Sequence, residues 1–376
     1  MHPPTPPVFF ADGARRPRVY RCRKFKPKNK EKLVFKCSQD KHLFESTIVY
    51  RLNAMDYCYI YHKKIPAMKK LLSTLLIVTL TFALKAQNKL PAVVSGKVER
   101  IANFKSKYVT SRNVDVWLPV GYSNAKKYAV LYMHDGQMLF DAKTTWNKQA
   151  WDVDDVVDRL VKAKQIQELI VVGIWNGGKT RHADYFPQKP FESLSKVEKD
   201  SVTAQLKRSH VPLKKAFKPK SDNYLKFIVR ELKPYIDKTY SVHSGRAHTY
   251  IMGSSMGGLI SMYAICEYPK VFGGAACLSS HWTGTFTLKH NPVPNAFLKY
   301  LEKQLPNPRK HKIYFDCGDQ TLDKLYPEIQ KKVDQVMAKK GYDKAHWLSK
   351  YFPGENHSED AWKKRLHVPL EFLLGK

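Results

Sequence analysis

The stretch His248 to Met262, HTYIMGSSMGGLISM, decides how this chain is read. Residues 248–252 are rich in β-formers and predict a short strand. Gly253-Ser254-Ser255-Met256-Gly257 matches G-x-S-x-G, and Leu259 to Ala264 continues as an apolar helix. A strand, a tight turn and a helix in that order present a serine on a sharp bend at the carboxyl end of a central strand. The bend strains the serine backbone, so the positions two residues either side must be small. Gly253 and Gly257 meet that need, and Gly258 allows close packing behind the turn. The amino end of the helix, with the N–H of Met256, then faces the place where an oxyanion would develop at Ser255.

The length of 376 residues allows one large domain or two small ones, and 43% hydrophobic content is enough for a sizeable core. The formal net charge of +32 raises the question of a polyanionic partner. No RNA-binding aromatic motif, zinc-finger spacing or helix-turn-helix pattern accompanies it, so a basic surface is preferred and no nucleic-acid partner is expected. The six cysteines show neither CxxC nor metal-ligand spacing and read as free thiols. No metal or organic cofactor is expected.

Residues 68–86, from MKKLLSTLLIVTLTFALKA, have the layout of a secretory signal. Lys69 and Lys70 form the charged end, Leu71 to Leu84 the apolar stretch, and Ala86 a small residue before the cut. The apolar stretch is short for a membrane span, so no stable membrane insertion is expected after cleavage, and the mature chain is placed in the periplasm or outside the cell. Residues 1–67 are proline-rich and then densely basic. They read either as a disordered arm for an anion or nucleic acid, or as an extension that is not translated, with the true start at Met68. The second is preferred, since an export signal in the middle of a chain has no physical use.

From residue 88 onward the pattern alternates. Residues 97–104 and 113–118 suit antiparallel strands. Tyr128–Met133 (YAVLYM) and Leu169–Ile174 (LIVVGI) are short apolar runs suited to buried parallel strands. Residues 152–164 have helical spacing, 176–220 read as a polar insertion or long loop, and 223–238 are amphipathic, with Pro234 near the helix end or kinking it. After the serine turn come strand 273–278, helix 296–304, strand 312–317, helix 326–340, strand 347–352 and helix 360–374. The alternation predicts an α/β fold: a mostly parallel sheet, with antiparallel first strands, covered by helices on both faces.

The remaining reactive groups belong at strand ends. Strand 312–317 leads into DCGDQTLD, which offers Asp316, Asp319 and Asp323. Asp323 is preferred as the acid, Asp319 is the runner-up, and Asp316 reads as structural. The last strand leads into PGENH, which places His357 as a general base. The order Ser255, Asp323, His357 is the one α/β-hydrolases use. His134-Asp135-Gly136-Gln137 follows strand 128–133, and the N–H of Gln137 is the candidate for a second oxyanion donor beside that of Met256. Trp146, Trp151, Arg181, His281 and Trp282, with Trp175, are expected around the substrate pocket. His248 reads as structural.

LYMHDGQMLFD, VVGIWN with Arg181 and Tyr185, DNYLKFIVRELKPYID, MGSSMGG, YFDCGDQTLD and PGENHSEDAW together resemble the "putative esterase" family of α/β-hydrolases. That family takes in feruloyl and acetylxylan esterases, enterochelin-esterase-like enzymes, S-formylglutathione hydrolase and mycolyltransferases. The resemblance covers about residues 93–376. It implies Ser255, Asp323 and His357 as a triad, with the Met256 and Gln137 amides as an oxyanion hole. The acid loop departs from relatives, which often begin it Gly-Thr where this chain has Gly318-Asp319. The expected function is that of a secreted serine esterase acting on an acylated carbohydrate or a similar small ester. A siderophore esterase, an acyltransferase and a non-catalytic binding protein on the same fold are the alternatives.

Overall fold

The computed structural model of the chain describes residues 89–213 and 215–376, together with a short antiparallel pair, Arg23–Lys24 and Phe35–Lys36, in the amino-terminal stretch. The chain divides into two compact units, Met1–Gln87 and Asn88–Lys376. The expectations for residues 68–86, and for most of 1–67, lie outside the described residues.

The second unit is built on one eight-stranded sheet. Its strands are β1 (Lys97–Phe104), β2 (Arg112–Leu118), β3 (Ala129–His134), β4 (Leu169–Ile174), β5 (Thr249–Ser254), β6 (Gly274–Leu278), β7 (Lys312–Cys317) and β8 (Trp347–Tyr351). Their spatial order is β1-β2-β4-β3-β5-β6-β7-β8. β1 pairs with β2, and β2 with β4, antiparallel; every other pairing is parallel. Each residue of β3, β4, β5 and β6 is buried, which is why these strands read as unbroken apolar runs. The edge strands β1 and β8 are half exposed and mixed in composition.

Helices cover both faces. The longer ones are α1 (Val153–Lys162), α2 (Lys196–Arg208), α3 (Ser221–Phe227, continuing through a π-helical stretch Ile228–Leu232 into Lys233–Thr239), α4 (Met256–Glu267), α5 (Val293–Gln304), α6 (Pro327–Lys339), α7 (Glu359–Arg365) and α8 (His367–Leu374). Two hydrophobic clusters result. One holds Tyr132, Tyr224, Ile260 and Phe315, and the other Trp117, Leu131, Trp151 and Leu370. α4 is apolar all round and buried from Met256 to Cys266, as a helix enclosed on every side must be. Cys266, Cys277 and Cys317 are buried free thiols, as expected.

Two expectations change. Residues 176–220 are helical for much of their length: α2 opens with a capping box, in which Ser195 Oγ accepts from Glu198 N and Glu198 reaches back to Ser195 N. Pro234 lies near the end of its helix, as read; it has no N–H to donate, and the helix widens into the π-helical stretch just ahead of it. The closing helix is broken at Leu366 into α7 and α8. Among the described residues no helix is long and apolar enough to cross a membrane.

Candidate active site

Ser255 stands between β5 and α4 with φ 57° and ψ −123°, a left-handed φ that a non-glycine residue adopts only under strain. The packing around it leaves little room. A Cβ on Gly253 would come within 2.9 Å of the Gly257 backbone, and one on Gly258 within 2.7 Å of Ser280 Oγ. Ser255 N donates to Leu278 O (2.9 Å), and His281 N donates to Ser255 O (3.2 Å). These two bonds fix the serine against the chain that leaves β6.

The same exit from β6 touches Asp323. Ser279 Oγ donates to Asp323 Oδ2 at 2.6 Å, and Gly318 N donates to that oxygen at 2.7 Å. The other oxygen, Oδ1, lies 2.5 Å from His357 Nδ1. Asp323 is fully buried. Burial pushes its pKa up, but the His357 ring, the Ser279 hydroxyl and the Gly318 amide outweigh burial and hold it below the usual carboxylate value. A carboxylate partner accepts a hydrogen bond from Nδ1–H of a neutral imidazole and leaves Nε2 as an acceptor. The ring is held edge-on to Trp362, 5.0 Å between centroids, and His357 N donates to Thr321 Oγ1 at 3.0 Å. Among the described residues no hydrogen bond joins Ser255 Oγ to the ring, a contact that often tightens only with substrate in place.

Asp319 is not placed to do what Asp323 does. Its side chain is only partly buried and accepts from Tyr351 Oη (2.7 Å), Gly354 N (2.9 Å) and Gln320 Nε2 (2.8 Å). It ties the β7 loop to the β8 loop. Asp316 is buried and paired with Arg365, as its structural reading requires.

The loop after β3 is more elaborate than the sequence suggested. His134 is buried, its Nδ1 2.8 Å from Tyr224 Oη, and burial pushes its pKa down to about 3, so it is a neutral structural ring. Asp135 takes a left-handed φ of 55°. Its carboxylate receives Arg181 Nε and Nη2, both at 2.7 Å, and Asn176 Nδ2 at 2.7 Å. Burial would raise the Asp135 pKa, but Arg181 and Asn176 outweigh it and lower it. Arg181 is therefore a brace for the β3 loop, and Asn176, which donates its own N–H to Gln137 Oε1 (3.2 Å), is a second brace that the sequence did not single out. Among the described residues, neither Met256 N–H nor Gln137 N–H is spent on a backbone or side-chain acceptor. Both are free to meet an oxyanion.

Gly136 has no room for a side chain: a Cβ would lie 2.4 Å from both the carbonyl carbon and oxygen of Gly173, inside β4. Neither backbone can retreat without moving a strand. Gly136→Ala is expected to displace the Gln137 amide and lower kcat by about 100-fold, the scale of one lost oxyanion donor, with a lower Tm. Kinetics on an aryl acetate and a thermal melt check it. An unchanged kcat would remove Gln137 from the site.

The expected aromatic lining is only partly where it was placed. Trp146 is 83% exposed, on the loop whose Asn147 donates to Glu359 Oε2 at 2.8 Å, next to the His357 loop. Trp151 is buried, its ring tilted against that of Trp362 with centroids 5.5 Å apart, and so lies behind His357. Trp282 is a core residue instead of a pocket wall. It donates to Gln330 Oε1 at 2.8 Å and packs on Phe297 and Phe315. Trp175 donates to Asp115 Oδ2 at 2.8 Å and lies under Arg100. His281 is buried with Nδ1 2.6 Å from Tyr326 Oη and its ring against Phe286. Burial above all, with Arg181 nearby, holds it neutral. His248 bonds Gln167 and stacks on His243 outside the site.

The strand order, the serine turn after β5 and the acid and histidine loops after β7 and β8 define an α/β-hydrolase. Comparison with known proteins makes this specific. The chain belongs to the family described as "Putative esterase", whose model matches residues 106–373. It is similar to the uncharacterized protein YbbA of Bacillus subtilis (strain 168), 24% identical over 274 residues, spanning 71% of this chain and 94% of the relative. It is also similar to an endo-1,4-beta-xylanase/feruloyl esterase of Xylanibacter ruminicola, 23% identical and spanning 74% of this chain but 31% of that longer protein. Among solved structures, a ferulic acid esterase superposes with a TM-score of 0.53 at 22% identity, covering 74% of this chain and 98% of the other. The enterobactin esterase FES of Shigella flexneri superposes with a TM-score of 0.52 at 18% identity, covering 75% and 60%. At these identities the superpositions speak to the fold.

Proposed function

We propose that this protein is a serine carboxylic-ester hydrolase that acts on an acylated carbohydrate or a similar small ester. The observation that carries the reading is the 2.5 Å contact between His357 Nδ1 and Asp323, on the same β6 exit that holds the Ser255 turn. His357 Nε2 takes the proton of Ser255 as its Oγ attacks the ester carbonyl. The tetrahedral oxyanion is received by the Met256 and Gln137 amides. Collapse breaks the ester C–O bond, and the imidazolium returns its proton to the departing alcohol. Water, deprotonated by the same ring, then hydrolyses the acyl-serine.

The substrate class rests on the rim. Trp146 presents an apolar ring to solvent beside the His357 loop, and aromatic faces of this kind stack on sugar and aryl rings. The ferulic acid esterases and the enterobactin esterase among the structural neighbours share the fold equally well, so a siderophore ester is the second substrate to try. The same reading has the mature chain exported, with residues 68–86 as the removed signal; the mass of the secreted protein checks it.

The test uses the protein with a fluorophosphonate probe and a panel of acetyl, feruloyl and siderophore esters. Covalent labelling confined to Ser255, with turnover of at least one ester, is expected. A folded protein that takes no label and turns over no ester is a binding protein on a hydrolase fold.

A further inference from the structure

Behind Asp323 lies a set of groups that the proposed chemistry does not touch directly. Ser279, the first residue after β6, is fully buried and has a left-handed φ of 40°. Its hydroxyl meets three partners. Trp362 Nε1 lies at 3.0 Å, Arg365 Nη2 at 2.8 Å and Asp323 Oδ2 at 2.6 Å. An indole N–H and a guanidinium N–H can only donate, and a hydroxyl has two lone pairs and one proton. With both lone pairs filled by Trp362 and Arg365, the proton has one destination, Asp323 Oδ2.

We propose that Ser279 is a positioning residue for the ester hydrolysis put forward above. Its hydroxyl, with Trp362 and Arg365 behind it, pins one oxygen of Asp323 so that the other is aimed at His357. Gly318 N donates to the pinned oxygen as well, so Oδ2 is held twice and Oδ1 is left for the ring. The cation in this set does not compete with His357 for the Asp323 charge. Arg365 is already paired with Asp316 through Nε (3.1 Å) and Nη2 (3.0 Å). Asp316 is held in turn by Ser279 N (2.9 Å) and Tyr314 Oη (2.9 Å). Trp362 joins both halves, since the ring that donates to Ser279 also packs edge-on against His357. A glycine would take the Ser279 backbone conformation without strain. A serine in its place is consistent with a need for the hydroxyl.

The test compares wild type with Ser279→Gly, which removes the hydroxyl while suiting the backbone, and with Trp362→Phe, which keeps an aromatic ring but frees one lone pair on Ser279. Both are assayed on p-nitrophenyl acetate across pH. In Ser279→Gly, kcat is expected to fall by about 10- to 100-fold, the usual scale for groups that orient a reactive residue through hydrogen bonds, with little change in KM. The acid limb of the kcat/KM profile should move to higher pH, because a carboxylate relieved of one donor holds an imidazolium more strongly. Trp362→Phe should move both quantities the same way by less.

Other titrating groups around the pair do not confuse that limb. Burial keeps the proton on Cys317, pushed up to about 12, and on Tyr326, and keeps His281 uncharged. Asp316 and Asp334 keep their own side-chain partners in each variant. A kcat and an acid limb equal to wild type in both folded variants would overturn the proposal while leaving ester hydrolysis standing. If the protein turns over no ester, the far-downfield proton resonance of the His357 Nδ1–H decides instead. It should be present in wild type and shifted or lost in Ser279→Gly, and the same resonance in both would overturn the role of Ser279.

Discussion

Replacing Ser255 by alanine is expected to lower kcat on an aryl acetate by about a millionfold, the loss seen when a catalytic serine is removed from a working triad. The protein should remain folded. The oxygen lost is the one that would attack, and no other hydroxyl is placed on the turn to substitute for it: Ser254 is the last residue of β5, and Ser280 faces Gly258 on the far side of the turn. What survives is the pull of the Met256 and Gln137 amides on a bound carbonyl, worth about 10³- to 10⁴-fold over water in such sites. The backbone gives this prediction a second arm. Alanine keeps the Cβ and therefore the strain of a φ of 57° at position 255. Ser255→Gly removes it, so that variant should be equally inactive yet more stable, by about 1 kcal/mol, the low end for a non-glycine residue held in a left-handed conformation. Kinetics and thermal melts on the two variants separate chemistry from strain. Retention of more than about one per cent of wild-type kcat in Ser255→Ala would exclude Ser255 as the nucleophile, since a missing nucleophile leaves far less.

Much of this architecture could be read from the residues, and the exceptions have physical causes. β3, β4 and β5 announce themselves because a strand buried on both faces must be apolar throughout. The Ser255 turn is legible because Gly253 and Gly258 are imposed by contacts under 3 Å and Gly257 by one of 3.3 Å. α2 was hidden by its polar composition, although Ser195 and Glu198 spell the capping box that starts it. The β7 loop could not be resolved by sequence alone. Asp319 and Asp323 follow the same strand four residues apart, and only the turn between them buries one fully and the other only in part. Trp282 misled for a related reason. It neighbours His281 at a strand end, but its side chain is directed into the core toward Gln330. The Ser279 network had no sequence signal, because its members lie 44, 83 and 86 positions apart along the chain.

The choice between the two carboxylates yields the second large effect. Asp323→Asn is expected to reduce kcat by about 10⁴-fold, whereas Asp319→Asn should stay within a few-fold of wild type. Both substitutions remove a charge and preserve shape, so the difference lies in what surrounds each side chain. At position 323 the oxygen that stays must accept from Ser279 Oγ and Gly318 N, which both point at the Oδ2 site. The new amide nitrogen is thereby driven to the Oδ1 site, facing His357 Nδ1. An NH₂ there can only donate, so the imidazole must turn Nδ1 into the acceptor and carry its proton on Nε2. That tautomer cannot take a proton from Ser255, and the ring also loses the negative charge that would stabilise its imidazolium. At position 319 the carboxylate is only partly buried and joins Tyr351 and Gly354, contacts an asparagine oxygen can keep in part. Steady-state kinetics of the two variants at one pH decide the matter. Equal losses, or a larger loss in Asp319→Asn, would transfer the role of the acid away from Asp323 and would require the β7 loop to rearrange before His357 could be oriented at all.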